Sequence, residues 1–337
     1  MICLIPIMKF GIIGFGRMGK MYYDIISKME IELSFICDII KPMNDLKYFQ
    51  NYKEALDNLT VDGLIISTTA PSHNEIIQYA IEKKIRYIVC EKPFTTSVIH
   101  ADEIITKLKN SDTRLAVNYL RRYSSIYAEL KRDLYESNII GKPRNMIITC
   151  GAGGLSTVGT HFFDLCTYLL ESKVKFVYAI AVNKNLPNPR GKEFEDPGGH
   201  ILLNFENESR AYIDMGDDLG LQHSIEIIGE YGRVIIDESN ENITIRSRST
   251  EDRMKPMHLY GLPNPVIRNE SFKLETIGEL ITKMIRNLTS ESDIIVTPNI
   301  AREKVEIYSA IRNSFDTKKP IHLPLNDEYY KREFIVT

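Results

Sequence analysis

Three stretches of this 337-residue chain combine residue types and spacings that could do chemistry. The first is "GFGRMG", which sets Gly14, Gly16 and Gly19 in a G-x-G-x-x-G pattern. Where such a pattern follows a strand and opens a helix, the first glycine makes the tight turn. The second lets the backbone approach a pyrophosphate, and the third lets the helix pack on the strand. The second stretch is "CEKPF", with Glu91 and Lys92 ahead of Pro93. The Lys92–Pro93 bond is a candidate cis peptide, as X-Pro bonds alone commonly permit. The third is "GGLSTVGTHFFDL", which brings His161 to a helix start. An amine and an imidazole can both exchange protons near neutral pH when their surroundings tune them. The same third stretch also suits a flexible turn feeding a helix whose apolar face is Phe162, Leu165 and Leu169.

The elements that must position these residues follow from periodicity. "KFGIIGFG" is a near-continuous apolar run, as a strand covered on both faces should be. Further strands are expected at 31–38, 62–69, 86–93 and 114–119, with helices at 17–29, 52–59, 72–83 and 97–109 between them. That order predicts a parallel sheet with right-handed crossovers, whose ligands collect at the carboxyl ends of its strands. The polar groups fall there. "STTAPSHNE" brings Thr68, Pro71 and His73, "CEKPF" brings Glu91 and Lys92, and "VNYLRRY" brings Asn118. Taken singly, His73 is as readily a helix-start residue, and Arg121 and Arg122 are surface or interface charges. Asp38 closes the second strand, where a carboxylate can accept from both ribose hydroxyls and would repel a 2′-phosphate. NAD is therefore favoured, and Lys41 beside it leaves NADP open.

Past about residue 125 the pattern changes. A helix is expected at 124–137 with Ile126, Leu130 and Leu134 on its apolar stripe. Strands follow at 144–150, 174–182, 200–206, 210–215, 223–229, 233–237 and 242–248, with one helix inserted at 160–171. This reads as a largely antiparallel sheet. A long loop is expected at 183–199 and an irregular stretch at 250–270. Helices at 273–288, carrying Leu274, Ile277, Ile281 and Ile285, and at 298–315 close the chain. The expected fold is α/β, a Rossmann dinucleotide-binding domain over 8–121 and a second domain over 122–337.

Composition narrows the function classes. The net charge is −3 with no dense Lys/Arg stripe, which argues against nucleic acid as a partner. No apolar run reaches about 18 residues, so no membrane span is expected. "MICLIPIMKFGIIG" is too short for a signal peptide and lacks a basic opening. Met8 is expected to begin the first strand, with residues 1–7 an upstream extension. Five cysteines without C-x-x-C spacing suit a reduced cytoplasm and argue against a zinc site or a disulfide framework. In that compartment a sequon such as the one at Asn287 carries no meaning.

Taken together, "GIIGFGRMG", "STTAPSHNE", "CEKPFTTS", "NYLRRYSSIYAELK", "GTHFFDLCTYL" and "IEIIGEYGRVIID" make the chain resemble the glucose–fructose oxidoreductase, inositol dehydrogenase and MocA family. The resemblance implies a Rossmann domain followed by an α/β domain with a large open, mostly antiparallel sheet. It implies a homo-oligomer, dimer or tetramer, formed through that sheet, and a chain end that returns to the first domain. It further implies hydride transfer between NAD and a carbinol of a sugar, cyclitol or nucleotide-linked sugar, with no metal. By resemblance Lys92 takes the hydroxyl proton as a neutral amine. Burial and a positive nicotinamide both favour that form of a lysine. His161 hydrogen-bonds the reacting oxygen, or else is a buried structural histidine. Glu91 and the backbone of Phe15, Gly16, Arg17 and Met18, with Gly14, Gly19, Asp38, Thr68, Pro71, His73 and Lys92, meet the cofactor. Asp164 either orients His161 or caps local backbone, and Asn118 and Thr157 position substrate. The chain departs from the family at Thr157, where many members carry an aspartate four residues before the histidine. That departure keeps open a second reading, a catalytically weak dinucleotide-binding regulator on the same fold. Lys184, Arg190 and Lys192 of the 183–199 loop either meet an anionic substrate or are simply solvated.

Overall fold

The computed structural model describes residues 7–41, 46–151, 153–182, 191, 194–220, 223–256 and 261–336. The chain divides into two compact units. The first comprises Met1–Leu120, Thr276–Val305 and Glu333–Thr337, and the second Arg121–Glu275 and Glu306–Arg332.

The first unit starts with β1 (Met8–Ile13), α1 (Arg17–Ile26), β2 (Ile31–Cys37), β3 (Tyr48–Phe49) and α2 (Tyr52–Asn58). It continues through β4 (Gly63–Ile66), α3 (His73–Glu82), β5 (Tyr87–Cys90), α4 (Val98–Leu108) and β6 (Arg114–Val117). The six strands pair in parallel in the order β3-β2-β1-β4-β5-β6. Strand order reverses between β1 and β4, so a crevice opens at their carboxyl ends, where sheets of this kind bind nucleotides. Phe10, Ile12, Leu64, Ile65, Ile88 and Val89 have no exposed surface, because helices cover both faces.

The second unit opens with α5 (Ser125–Tyr135), β7 (Pro143–Gly151), α6 (Thr160–Leu170), β8 (Val174–Val182), β9 (Gly198–Phe205) and β10 (Arg210–Gly216). β11 (Ser224–Gly229), β12 (Gly232–Asp237), β13 (Asn242–Ser247), the short α7 (Thr250–Arg253) and β14 (Val266–Ser271) follow. α8 (Ile277–Thr289) belongs to the first unit, and α9 (Pro298–Thr317) passes from the first unit to the second after Val305. β15 (Ile321–His322) and α10 (Asp327–Lys331) complete the second unit. Its nine strands run β14-β13-β12-β11-β7-β10-β9-β8-β15. β7 and β10 pair in parallel and every other neighbouring pair is antiparallel. Burial alternates along the strands. In β10, Ala211, Ile213 and Met215 point inward while Tyr212 stays 45% exposed. α6 packs on β7, and Ser314 of α9 accepts the Ala179 N–H of β8 at 2.9 Å. Ile180 and Tyr212 are left exposed on this sheet.

Several expectations need correction. The chain first changes unit after Leu120, and Thr276–Val305 and Glu333–Thr337 belong to the first unit. α8 buries Ile281, Met284, Ile285 and Leu288 in the first unit, where it packs against α1. Arg114 of β6 also donates to the Leu288 carbonyl at 2.9 Å. That helix begins at Ile277, not 273, because Thr276 and Glu279 close a reciprocal capping box. Leu274 therefore lies outside it, and Ile277 is 47% exposed. The stretch expected to be irregular at 250–270 contains α7 and most of β14, whose residues are mainly exposed and so show no core pattern. In α5 the fully covered residues are Tyr127, Leu130 and Leu134, with Ile126 only half-buried. The expected 183–199 loop gives up Gly198 and Gly199 to β9. Lys184, Arg190 and Lys192 lie outside the described residues.

Candidate active site

The glycine turn is built by sterics. Gly14 has φ +88°, and a Cβ there would stand 2.6 Å from the Ser67 and Thr68 backbone. Ser67 Oγ donates to the Gly14 carbonyl at 2.7 Å, holding the end of β4 against the turn after β1. Gly19 packs equally close, its hypothetical Cβ 2.1 Å from the Gly14 oxygen. Gly16 is the opposite case, since a Cβ on it would meet nothing within 4 Å. It caps α1 with no side-chain hydrogen bond, and no acidic residue occupies the first turn. Arg17 is exposed, while Phe15 and Met18 are half-buried. A helix N-terminus without a cap, beside open space, fits a dinucleotide phosphate. Asp38 faces the same turn. Its Oδ2 accepts from Phe15 N–H at 2.5 Å and its Oδ1 from Ile40 N–H at 2.9 Å.

At the neighbouring strand ends the residues divide into two kinds. Thr68 is half-buried, its Oγ1 accepting from Ser72 Oγ at 2.7 Å, and Pro71 is exposed. His73 has no exposed surface. Its Nδ1 lies 3.0 Å from the Pro93 carbonyl and its Nε2 3.2 Å from the Thr68 carbonyl. Burial pushes its pKa down, toward the neutral ring. Its imidazole ties the loop after β4 to the loop after β5.

Glu91 follows β5 and is also buried. Its Oε1 accepts from Tyr22 OH at 2.8 Å and from Asn118 Nδ2 at 2.5 Å. Burial, and then the adjacent Glu91 charge, push the Tyr22 phenol well above its ordinary pKa. The Asn118 amide thus helps to fix Glu91. Its buried Oδ1 has no donor among the described residues, an acceptor that a ligand N–H would satisfy. Lys92 is half-buried, and the Lys92–Pro93 bond is cis.

In the second unit, a single π-type turn, Leu155–Gly159, leads into α6. Its signature is the Gly159 N–H donating to the Gly154 carbonyl at 3.0 Å. His161 lies in the first turn of α6 and is half-buried. Asp164 of α6 is paired with Arg122. Both its oxygens lie 2.9 Å from Arg122 Nε, in the interior. Thr157 donates its hydroxyl proton to Asp196 Oδ2 at 2.7 Å. The Asp196 carboxylate also accepts the N–H groups of Ser156, at 2.6 Å, and of Thr157, at 3.2 Å.

Nearby, Arg121 grips Glu238 with Nε at 3.0 Å and Nη2 at 2.7 Å, and Tyr127 OH donates to Glu238 at 2.6 Å. Burial opposes charge on Glu238, yet Arg121 and these donors hold its carboxyl well below the usual range. His223 Nδ1 lies 3.3 Å from Glu238, and its pKa is pushed up to about 9, first by Cys150 and then by Glu238. Sequence reasoning found none of Tyr22, Asp196, Glu238 or His223. Each is an ordinary residue in its own segment, and only the run of Asp196 into Pro197, Gly198 and Gly199 marks a turn.

Among the described residues there is no cluster suited to a metal, and no helix is long and apolar enough to cross a membrane. Cys37, Cys90, Cys150 and Cys166 are buried and free of disulfides.

Comparison with known proteins identifies the family. Residues 8–119 match the oxidoreductase family with an NAD-binding Rossmann fold, and residues 149–323 match that family's C-terminal alpha/beta domain. A myo-inositol 2-dehydrogenase of Thermotoga maritima is 23% identical over 94% of this chain and 98% of its own length. A scyllo-inositol 2-dehydrogenase (NAD(+)) of Bacillus subtilis is 23% identical over 95% and 98%. The crystal structure of an NAD binding oxidoreductase from Klebsiella pneumoniae has a TM-score of 0.78 at 15% identity, covering 95% of this chain and all of that one. With both of the family's domains matched in order, the chain belongs to the glucose–fructose oxidoreductase, inositol dehydrogenase and MocA family and is an NAD-dependent oxidoreductase.

Proposed function

We propose that the protein oxidises a secondary alcohol of a cyclitol or sugar, free or nucleotide-linked, to the ketone, and runs the reverse reduction. The observation that carries this reading is the match of both family domains, with Lys92 following the β5 end in the first and His161 opening α6 in the second. The names of the inositol dehydrogenases among its relatives support the cyclitol class.

The reaction removes two hydrogens from one carbinol. NAD bound at the glycine turn would supply the acceptor for the hydride from carbon. Lys92, as a neutral amine, takes the hydroxyl proton and becomes an ammonium, and the oxygen's electron pair closes the carbonyl. His161 hydrogen-bonds the same oxygen and passes the proton on. In the reverse direction each proton transfer runs backwards. Gly14, Gly16 and Gly19 with the first turn of α1 would hold the pyrophosphate of NAD, and Asp38 its adenosine ribose. The sheet of the second unit, with Ile180 and Tyr212 exposed, is the proposed surface for pairing with further copies.

A second reading, a dinucleotide-binding regulator with little turnover, rests on Thr157 standing where the resemblance leads one to expect an acid. An assay for NAD reduction over inositols, free sugars and nucleotide sugars separates the two. Turnover that Lys92→Ala abolishes supports the enzyme. Tight NADH binding without turnover on any of these compounds supports the regulator.

A further inference from the structure

We propose that Asp196 is a positioning residue for proton transfer, acting through Thr157. This inference rests on the reading that the protein is a dehydrogenase using His161. A threonine hydroxyl has one proton and two lone pairs. The Thr157 proton points at Asp196 Oδ2, 2.7 Å away, at charge-assisted distance. Toward other partners Thr157 Oγ1 then acts as an acceptor, of the Gly154 N–H at 3.2 Å among them, made more basic by the carboxylate behind it. Thr157 precedes His161 by four residues, the spacing that puts side chains on one side of a helical turn. The pair Thr157–Asp196 thus offers an imidazole or a substrate hydroxyl a polarised acceptor backed by a full negative charge. A neutral threonine alone would not provide that charge.

The carboxylate is held on a built platform. Ser156 N–H donates to its Oδ1 at 2.6 Å, and Leu155 N–H donates to the Pro197 carbonyl at 3.0 Å. Glu195 next to it accepts from Arg312 Nη2 at 2.5 Å. Asp196 is 4% exposed and lies so close to Gly154 that a Cβ there would be 2.1 Å from its Cγ. The simpler role for such a carboxylate is a cap on the Ser156 and Thr157 amides. Asp196→Asn keeps an acceptor for the Ser156 N–H but sets its Nδ2 against the Thr157 N–H, so the charge-swapped double variant below, not this single one, separates the two roles. The single variant also removes the charge. Its Nδ2 would donate to Thr157 Oγ1, turning the hydroxyl around.

The test measures kcat and KM for NAD and for myo-inositol, or for whichever compound of the panel above the wild type oxidises. NADH affinity and thermal midpoint are followed in parallel. Asp196→Asn is expected to lower kcat on the order of 10- to 100-fold with NADH affinity preserved and only a small fall in midpoint. Thr157→Val should lower it similarly, and the two losses should not add. Thr157→Asp alone sets two carboxylates face to face and should lose activity. Thr157→Asp with Asp196→Asn moves the charge to position 157 and should recover most of it. Wild-type kcat in Asp196→Asn, beside an inactive Lys92→Ala, overturns the inference and leaves the dehydrogenase reading standing. So does a fall in midpoint with kcat retained, or a kcat loss that the double variant fails to recover. No turnover by the wild type on the whole panel overturns the reading itself.

Discussion

Arg122 Nε lies 2.9 Å from each oxygen of Asp164, with only 1% of the Asp164 side chain exposed. Removing one member of such a pair leaves the other charge buried without its counterion. Asp164→Ala is expected to destabilise the protein by roughly 3 kcal/mol, and replacing both residues by leucine should cost less. Urea unfolding of the two variants checks this. Equal losses would show that packing, not charge, carries the site.

The His223 pKa is raised from 6.5 to about 9. A cation favoured in the folded state adds stability that is complete below about pH 6.5, the unfolded value, and lost as pH rises through 9. The thermal midpoint should therefore decline across that window, and His223→Gln should flatten the decline. Its side chain is 32% exposed, so the effect is expected to be small and to shrink further in salt.

Asp38 accepts the Phe15 N–H beside the glycine turn, and its proposed place is at the ribose position that separates the two nicotinamide dinucleotides. Asp38→Asn should weaken NADH binding about tenfold while relaxing discrimination against NADPH. Fluorescence titration with each reduced cofactor reads both effects. Unchanged selectivity would place the discrimination elsewhere.

Much of the first unit was legible because its signals are local. An apolar run, a glycine turn and a helix start lie within "KFGIIGFGRMG", and the polar strand ends follow at one sheet edge by the rule of parallel crossovers. The second unit was legible as alternating strands, since side chains of a half-covered sheet must alternate. β14 escaped because an exposed edge strand has no buried face to impose a period.

Sequence alone determined the fold class, the cofactor turn and the family pattern holding Lys92 and His161, because each is written in residues close together along the chain. The partners of the site residues were decided only in three dimensions. Thr157 meets a carboxylate 39 residues away, and Asp164 meets a guanidinium 42 residues away. His73, polar and plausible as a ligand contact, is drawn inside by two backbone carbonyls. A buried polar group must find a partner wherever folding brings one, and nothing in its own segment names which.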